Sequence, residues 1–150
     1  MKKISKKNFT DDENESIMNE VKVLKEVDHP NVVKIIEYYE SVNSLYIITE
    51  YLDGGELFEK IEHKEFLKEN QIKKLMRQIL GAVAYLHRLG FIHRDLKPEN
   101  ILFEKLDDDS INLKLIDFGT SRKIVKDEML KIRMGTPYYI APEVIERNYN

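Results

Sequence analysis

The sequence FIHRDLKPENILF at residues 91–103, followed after an acidic segment by INLKLIDFG at residues 111–119, holds most of the chemically informative side chains. Two apolar runs, 100–103 and 111–116, favour short β-strands, and acidic and amide side chains lie directly beside both. Short strands hold such groups at fixed positions on a rigid edge, which suits a functional site. The pattern predicts one site around a hairpin, with four candidate residues: Asp95, Lys97, Asn100 and Asp117.

These residue types fit the transfer of a phosphoryl group. That reaction needs a carboxylate to orient and deprotonate an alcohol, a cation near the moving group, and hard oxygen ligands for Mg²⁺. Asp95 can supply the carboxylate and Lys97 the cation. Asn100 and Asp117 can supply the oxygen ligands, because Mg²⁺ keeps water and phosphate oxygens for its other positions.

Each residue taken alone also has a simple structural interpretation. Asp95 beside Arg94 could form a surface ion pair, Asn100 could be a turn residue, and Asp117 could begin an ordinary turn after a strand. The combination of these residues in this order favours the catalytic interpretation.

The motifs support a family resemblance. HRDLKPEN at 93–100 matches the catalytic loop of protein kinases, and DFG at 117–119 matches their metal-binding triplet. The chain therefore resembles a eukaryotic-type serine/threonine protein kinase. GGELF at 54–58 and GTPYYIAPE at 135–143 are most similar to calcium- and calmodulin-regulated kinases, especially the calcium-dependent kinases of plants and protists. The resemblance implies an α+β, two-lobed fold.

The resemblance also implies how the chain is divided. Residues 1–49 would be part of the small lobe, 50–56 the hinge, and 57–150 the start of the helical large lobe. The catalytic loop and an activation segment at 117–143 belong to this last part. Neither the glycine-rich loop over the ATP phosphates nor the later large-lobe helices are in the sequence. We therefore expect a partial catalytic domain or truncated gene model, with weak or no activity alone.

A helix is expected over residues 11–27. Thr10 and Glu13 have the spacing of a capping box, and apolar residues then recur at helical spacing. The resemblance makes this the mobile helix of the small lobe. Its Glu20 would pair with the lysine that holds the ATP phosphates.

That lysine lies near the first residue. Lys2 and Lys3 are both candidates for the role in the family strand. We favour Lys2, because side chains alternate along a strand and Ile4 should share the inward face with Lys2.

Two runs at 32–39 and 45–51, rich in β-branched and aromatic residues, predict an antiparallel pair of strands. The second run matches the approach to a kinase hinge. By the resemblance, backbone groups of Glu50 and Leu52 would hydrogen-bond adenine, and Thr49 would guard the pocket behind it.

The resemblance implies further residues on the cofactor side of the cleft: Glu56, Glu99, Leu102 and Ile116. Glu56 and Glu99 also match positions that favour basic residues upstream of the phosphorylated residue. A basophilic substrate preference is therefore expected.

Two helices are predicted between the hinge and the catalytic loop. The first covers 56–63, and Asn70 is expected to cap the second, which should end near Gly90. The apolar residues of the second helix fit one broad buried face: Ile72, Leu75, Met76, Ile79, Leu80, Val83 and Leu86. By the resemblance, His93 would be a packing residue beneath Phe118 and would not transfer protons.

The activity implied by the resemblance is transfer of the ATP γ-phosphoryl group to a serine or threonine of a protein. Asp95 would position the hydroxyl and take its proton, and Lys97 would offset charge on the γ-phosphate. Asn100 and Asp117 would hold Mg²⁺, and Thr136 would bridge Asp95 and Lys97. Lys97 also separates the chain from the tyrosine-specific branch.

The activation segment departs from the family pattern at Ile132. Related kinases often carry a phosphorylatable threonine at this position, and an arginine such as Arg94 usually binds its phosphate. A longer parent is therefore expected to be controlled by another segment or partner. A calcium-sensing regulatory segment or calmodulin is the implied candidate.

The composition of the chain argues against nucleic-acid partners, disulfides and membrane partners. Lys and Arg number 24 against 27 Asp and Glu, for a formal charge of −3, so no nucleic-acid partner is expected. There is no cysteine, which excludes disulfides. Because nothing approaches ~20 consecutive apolar residues, no membrane partner is expected and a cytoplasmic location is the default.

A non-catalytic kinase-like module that binds partners or nucleotide is the main alternative. The missing glycine-rich loop favours it. The presence of every essential side chain opposes it: Lys2, Glu20, Asp95, Asn100 and Asp117. A third idea, a metal-binding structural protein, rests only on the acidic run 107–109, which lacks the glycine and distal glutamate of a calcium loop.

Overall fold

The computed structural model describes residues 1–8, 10–63, 68–105, 111–125 and 128–150. Its helices and strands, in chain order, are β1 (Lys2–Ser5), α1 (Asp11–Glu26), β2 (Ile35–Glu40), β3 (Ser44–Thr49), α2 (Leu57–Glu62), α3 (Glu69–Arg88), β4 (Phe91–Ile92), β5 (Ile101–Phe103), β6 (Leu113–Leu115), β7 (Arg122–Lys123) and α4 (Pro142–Ile145). The predicted α+β class is confirmed.

The N-terminal part is a three-stranded antiparallel sheet, ordered β1-β3-β2, with α1 beside it. The helix lies within one residue of its predicted bounds. Thr10 Oγ1 accepts the Glu13 N–H at 3.2 Å, and Glu13 Oε2 accepts the Thr10 N–H at 3.0 Å, so the predicted capping box is present. Val21 of α1 packs with Leu45 and Ile47 of β3 in a small buried cluster.

The predicted strand over 32–39 begins too early. Val32 forms a parallel bridge with Leu115, and the Val33 N–H donates to the Leu115 carbonyl at 2.9 Å. The Leu115 N–H in turn donates to the Asn31 carbonyl at 2.8 Å. These residues are β-prone as predicted, but their hydrogen bonds go to β6. They therefore join the N-terminal sheet to the second half of the molecule.

The hairpin expected at the centre of the sequence is present. β5 and β6 pair antiparallel, with Ile101 opposite Leu115. Both strands are shorter than predicted, because Asn100 belongs to the preceding 3₁₀ turn and Ile116 follows β6. Most of the acidic segment between the two strands, at 104–110, lies outside the described residues.

The start of α3 corrects one prediction. Asn70 does not cap the helix, which begins at Glu69. The Lys68 N–H instead donates to Gln71 Oε1 at 2.8 Å, so the glutamine side chain satisfies the helix start and Asn70 lies within the first turn. The helix ends before Gly90, as predicted, where φ is +77°.

The buried face of α3 is narrower than predicted. Leu75 and Leu86 are buried as expected, and Ala82 is fully buried between the turns that carry them. Three residues assigned to the buried face are exposed instead: Ile72 (46%), Met76 (46%) and Leu80 (59%). They follow one another at i, i+4 and i+8, which aligns them as a stripe on the flank of the helix.

The main core joins α1, α2, α3 and the β5–β6 hairpin, whereas β1 and β3 pack in the smaller cluster. Phe118 and Leu115 are fully buried at the centre of the main core, with Val23 of α1 and Leu86 of α3 packed in the same cluster. Within the described ranges, no helix has the length and apolar character needed to cross a membrane.

The exposed stripe on α3 predicts self-association of the chain, because contiguous apolar surface promotes it. Replacing Ile72, Met76 and Leu80 together by glutamine should reduce association and preserve the helix. Light scattering and thermal denaturation are the measurements. Leu75→Gln is the matched control, and should unfold the chain because an unpartnered buried amide costs roughly 1–3 kcal/mol. A monodisperse wild-type chain with a sharp, cooperative transition would contradict the prediction.

Candidate active site

The loop between β4 and β5 is held by Asn100. Its Nδ2 donates to the carbonyl oxygen of Asp95 at 2.9 Å and to Asp95 Oδ2 at 3.0 Å. The Asn100 N–H donates to the Lys97 carbonyl at 3.0 Å, and the side chain is buried. Since the amide NH₂ group is occupied, Oδ1 is the atom of Asn100 that can bind a metal.

Asp95, Lys97 and Thr136 form a closed ring of hydrogen bonds. Thr136 Oγ1 donates to Asp95 Oδ1 at 2.7 Å and accepts from Lys97 Nζ at 2.8 Å. Lys97 Nζ also lies 2.9 Å from Asp95 Oδ2. One threonine hydroxyl of the activation segment thus contacts both Asp95 and Lys97.

The ring fixes the charge of its members. Burial raises the pKa of Asp95, but hydrogen bonds from Thr136 and Lys97 outweigh this effect and bring the pKa below its ordinary value. The hydrogen bond with Asp95 raises the pKa of Lys97. At neutral pH the pair is a carboxylate and an ammonium group, so Asp95 can accept a hydrogen bond from an alcohol.

Asp117 lies at the same end of the hairpin as Asn100. The N–H of Ile116 donates to the carbonyl of Asn100 at 3.0 Å, and Asp117 follows with φ +61°. Its Oδ1 accepts the N–H of Gly119 at 3.4 Å. One amide oxygen and one exposed carboxylate form an all-oxygen donor set, which fits Mg²⁺ and its preference for few protein ligands.

His93 lies beneath this edge, in the packing position expected for it. Its ring meets Phe118 at a centroid distance of 4.8 Å in a T-shaped arrangement. The Asp95 N–H approaches Nδ1 at 3.3 Å, and Nε2 lies 3.1 Å from the Ile116 carbonyl. These contacts require a neutral ring that donates from Nε2. Burial lowers the pKa of His93 below its ordinary value, which favours the same form.

The lysine and glutamate of the N-terminal part form a second group. Lys2 Nζ lies 3.0 Å from Glu20 Oε2, whose side chain is 11% exposed. Lys3 points elsewhere, with its ammonium 5.7 Å from the centre of the Tyr46 ring. The structure therefore brings together the pair that alternation along β1 favoured.

Asn19 and Ser16 link α1 to the DFG segment, and sequence analysis did not identify them. Asn19 Nδ2 donates to the carbonyls of Ser121 at 2.6 Å, Phe118 at 3.3 Å and Gly119 at 3.4 Å. Ser16 Oγ donates to the Gly119 carbonyl at 3.1 Å. Asn19 and Glu20 follow Ser16 by three and four residues, so all three lie on one face of α1. This polar cluster beside the apolar stripe was the sequence signal that could have identified Ser16 and Asn19.

The α1 helix approaches this segment closely at Gly119. A Cβ atom there would lie 2.7 Å from Ser16 Oγ. The helix that carries Glu20 is therefore in direct contact with the segment that carries Asp117.

The predicted hinge residues occupy the link from β3 to α2. The Glu50 N–H donates to the Lys34 carbonyl at 2.9 Å, so only its carbonyl oxygen can meet adenine as predicted. Its carboxylate accepts from the Lys34 N–H at 2.7 Å and from the buried Lys114 Nζ at 2.8 Å. Thr49 is the last residue of β3, and Leu52 packs half-buried against the main core.

The other predicted cofactor residues border the same region. Glu56 precedes α2 and bridges to Leu102 of β5, while Ile116 packs half-buried against the main core. The α2 helix contacts the 3₁₀ turn that contains Glu99. Among the described residues, Glu99 Oε2 is the one buried side-chain nitrogen or oxygen atom without a hydrogen-bond partner.

Comparison with known proteins agrees with this geometry. Residues 1–150 match a family model described as the protein kinase domain. Over 136 residues the chain is 44% identical to calcium-dependent protein kinase 5 of Plasmodium berghei (strain Anka), and 43% identical to that of Plasmodium falciparum (isolate 3D7). Over 135 residues it is 41% identical to "Probable myosin light chain kinase" of Dictyostelium discoideum.

These alignments cover most of this chain and a minority of each relative. They include 91% of the chain and 24% of each Plasmodium protein, and 90% of the chain and 42% of the Dictyostelium protein. The chain therefore spans about a quarter to two fifths of the length of these relatives.

The buried His93 predicts acid sensitivity of the fold. Its native pKa lies below the value of about 6.5 expected in the unfolded chain, so unfolding takes up a proton in mildly acidic solution. The stabilisation is complete above pH ~6.5 and is lost as pH falls through the lowered native pKa. His93→Gln, which can donate and accept at the same places, should flatten urea-denaturation stability against pH in this range.

His87→Gln, at an exposed position, is the control and should retain the wild-type pH dependence. Some dependence should remain in His93→Gln, because burial also lowers the pKa of His29. A His93→Gln curve that keeps the full wild-type slope would contradict the prediction.

Proposed function

The chain belongs to the protein kinase family, and from that premise we propose that it carries the catalytic groups of an ATP-dependent serine/threonine kinase. The single observation that carries the proposal is the ring of Asp95, Lys97 and Thr136, completed by Asn100. It puts a carboxylate, a cation and a metal-ligand candidate on one loop. The proposal includes the lobe boundaries inferred from sequence.

Asp95 acts on the substrate alcohol. Its carboxylate accepts a hydrogen bond from the serine or threonine hydroxyl and orients the oxygen toward the γ-phosphorus. As the new P–O bond forms and the bond to the ADP oxygen breaks, Asp95 takes the hydroxyl proton. The low pKa of Asp95 makes it a weak base, so orienting the hydroxyl is its larger contribution.

Charged residues on both sides of the cleft stabilise the phosphates. Bound MgATP supplies the phosphoryl group and a metal charge that offsets the phosphate oxygens. Asn100 Oδ1 and the Asp117 carboxylate are the proposed metal ligands. Lys97 lies against the transferred group, and Lys2, oriented by Glu20, binds the phosphates that remain on ADP.

The adenine end of the cofactor lies against the link from β3 to α2. The carbonyl of Glu50 and the amide of Leu52 are the proposed hydrogen-bonding groups. Thr49, Leu102 and Ile116 supply the surrounding walls. Support comes from their common location around the β5–β6 hairpin and the end of β3.

We propose that Glu99 and Glu56 form the specificity element, which selects substrates with a basic residue upstream of the phosphorylated residue. Glu99 Oε2 is buried without a partner, and such an atom is costly unless a cation or donor meets it. Glu56 lies at the start of α2, which packs against the turn of Glu99. A substrate arginine would give Glu99 Oε2 the partner that it lacks, with Glu56 as a second carboxylate.

Regulation of a longer parent by calcium is part of the proposal. Two of the relatives carry calcium dependence in their names. A calcium-sensing regulatory segment or calmodulin is the proposed partner, alongside protein substrates that contain serine or threonine.

Asp95→Asn tests the assignment of catalysis. It should lower peptide phosphorylation by roughly 10²–10⁴-fold, the usual contribution of a positioned acid–base group. Binding of a fluorescent ATP analogue in the presence of Mg²⁺ should persist. Asp53→Asn, at an exposed position outside the ring, is the control for a lost carboxylate and should remain active.

The two readouts separate the possible outcomes. Full activity in Asp95→Asn would contradict the catalytic role of this residue. If the wild-type chain and any longer parent bind MgATP but phosphorylate no peptide, the non-catalytic nucleotide-binding alternative replaces the kinase proposal.

Glu99→Gln tests the specificity element. For a peptide with arginine upstream of serine, KM should rise by about tenfold or more, the equivalent of one charged hydrogen bond. A peptide with alanine in place of arginine should be used equally by both enzymes. Glu146→Gln, an exposed carboxylate near the end of the chain, is the matched control. An unchanged arginine preference in Glu99→Gln would remove this residue from the specificity element.

A further inference from the structure

The activation segment contains a long stretch in which no residue can be phosphorylated. Residues 122–135 include no serine, threonine or tyrosine. Thr136 follows this stretch directly and closes the hydrogen-bonded ring with Asp95 and Lys97. A phosphate on a residue of this stretch therefore cannot be what orders it.

Tyr149 supplies three contacts with this stretch. Its backbone pairs with Leu130, through Leu130 N–H to the Tyr149 carbonyl at 2.7 Å and Tyr149 N–H to the Leu130 carbonyl at 3.4 Å. Its hydroxyl donates to the carbonyl of Ile132 at 2.7 Å. Both Leu130 and Tyr149 are buried, at 2% and 8% exposure. Ile132 is thus held by its main chain, while its own side chain is exposed.

A neighbouring contact strengthens the same connection. Arg133 Nε donates to the carbonyl of Ile145 at 2.9 Å. Residues 130–133 are therefore joined to residues 145–149 by four hydrogen bonds that involve only groups of this chain.

The path from this connection to the ring is short. Three residues separate Ile132 from Thr136, and one of them is Gly135, with φ +115°. A Cβ atom on Gly135 would lie 2.7 Å from the carbonyl oxygen of Arg94, so the segment lies directly on the catalytic loop. Fixing the Ile132 carbonyl therefore restricts where the Thr136 hydroxyl can be.

We propose that Tyr149 is a positioning residue that orders the activation segment without a phosphate, by binding the Ile132 carbonyl so that Thr136 stays on Asp95 and Lys97. The inference rests on the proposed kinase function and deepens it. Tyr149 acts on catalysis only through Thr136.

Tyr149→Phe is the direct test, because it removes the hydroxyl and retains the ring and the backbone pair. One net hydrogen bond corresponds to about a fivefold change in an equilibrium. The released form of the segment should therefore be populated about fivefold more. Tyr39→Phe is the matched control, since this tyrosine is exposed on β2 in the N-terminal sheet.

The first readout needs no catalysis. The chain has four threonines, at positions 10, 49, 120 and 136, so threonine methyl labelling with ¹³C gives a simple NMR spectrum. In phosphatase-treated wild-type chain, verified by mass spectrometry, the Thr136 methyl should be ordered. In Tyr149→Phe it should shift and gain mobility, while the Thr49 methyl in β3 stays unchanged. Tyr39→Phe should alter neither methyl.

The second readout is kinetic. In the active chain or any longer parent, Tyr149→Phe should lower kcat by up to about fivefold, with the full fall reached where the released form predominates. KM for ATP should stay unchanged, because the nucleotide contacts are retained. If no form transfers phosphate, the kinase proposal fails, whereas the methyl spectrum still decides whether Tyr149 orders Thr136.

Two results would overturn the inference. One is a Thr136 methyl in Tyr149→Phe that matches the wild type in shift and mobility. The other is a phosphate-free wild-type chain in which Thr136 is mobile and becomes ordered only after phosphorylation. If Tyr149→Phe fails to fold, hydrogen exchange of the Leu130 amide is measured in the wild type instead. Slow exchange supports the pairing with Tyr149, and exchange as fast as in an unstructured chain overturns it.

Discussion

The complete burial of Phe118 is the constraint on which the rest of the site depends. Its side chain fills the centre of the main core, where it packs against the His93 ring, and its carbonyl accepts from Asn19 of α1. A core this closely packed leaves the backbone on either side little freedom. Asp117 therefore projects from a fixed point at the edge of the core, beside the loop that Asn100 holds together. The same burial keeps His93 neutral, and the neutral ring in turn accepts the Asp95 N–H.

The site contains residues that are fully paired with one another, and it also contains a buried carboxylate oxygen that has no partner within the described residues. Asp95 and Lys97 offset each other's charge, and Thr136 hydrogen-bonds to both, which explains why both residues stay charged at low exposure. A carboxylate held this firmly in its charged form is better suited to orienting a hydroxyl than to abstracting a proton unaided. The unpartnered oxygen of Glu99 is different, because its desolvation is not offset within the described residues. An incoming cation would offset it, and this distinguishes a binding group from the internally satisfied ring.

Connections between the two halves of the molecule are made largely by main-chain groups and amides. Val33 and Asn31 share backbone hydrogen bonds with Leu115, and Asn19 binds three carbonyls of the DFG segment. Tyr149 binds the Ile132 carbonyl in the same manner. Contacts of this kind depend on where the backbone lies and only weakly on which side chain the bound residue carries. They can therefore hold the activation segment although Ile132 cannot be phosphorylated.

The sequence by itself determined the features that depend on local chemistry: the capping box of Thr10 and Glu13, the period of α1, the β5–β6 hairpin, and the residue types on the catalytic loop. Alternation along β1 was enough to favour Lys2 over Lys3. Only the tertiary structure decided which of several equivalent local options was used. Gln71 caps α3 instead of Asn70 because its side chain reaches the Lys68 N–H. Val32 and Val33 pair with β6, and Ile72, Met76 and Leu80 stay exposed, since hydrophobicity and periodicity do not specify which neighbour an apolar residue meets. The partners of Asn19 and Tyr149 were not predictable for the same reason, because they are carbonyl groups, which every residue has and which only the fold brings within reach.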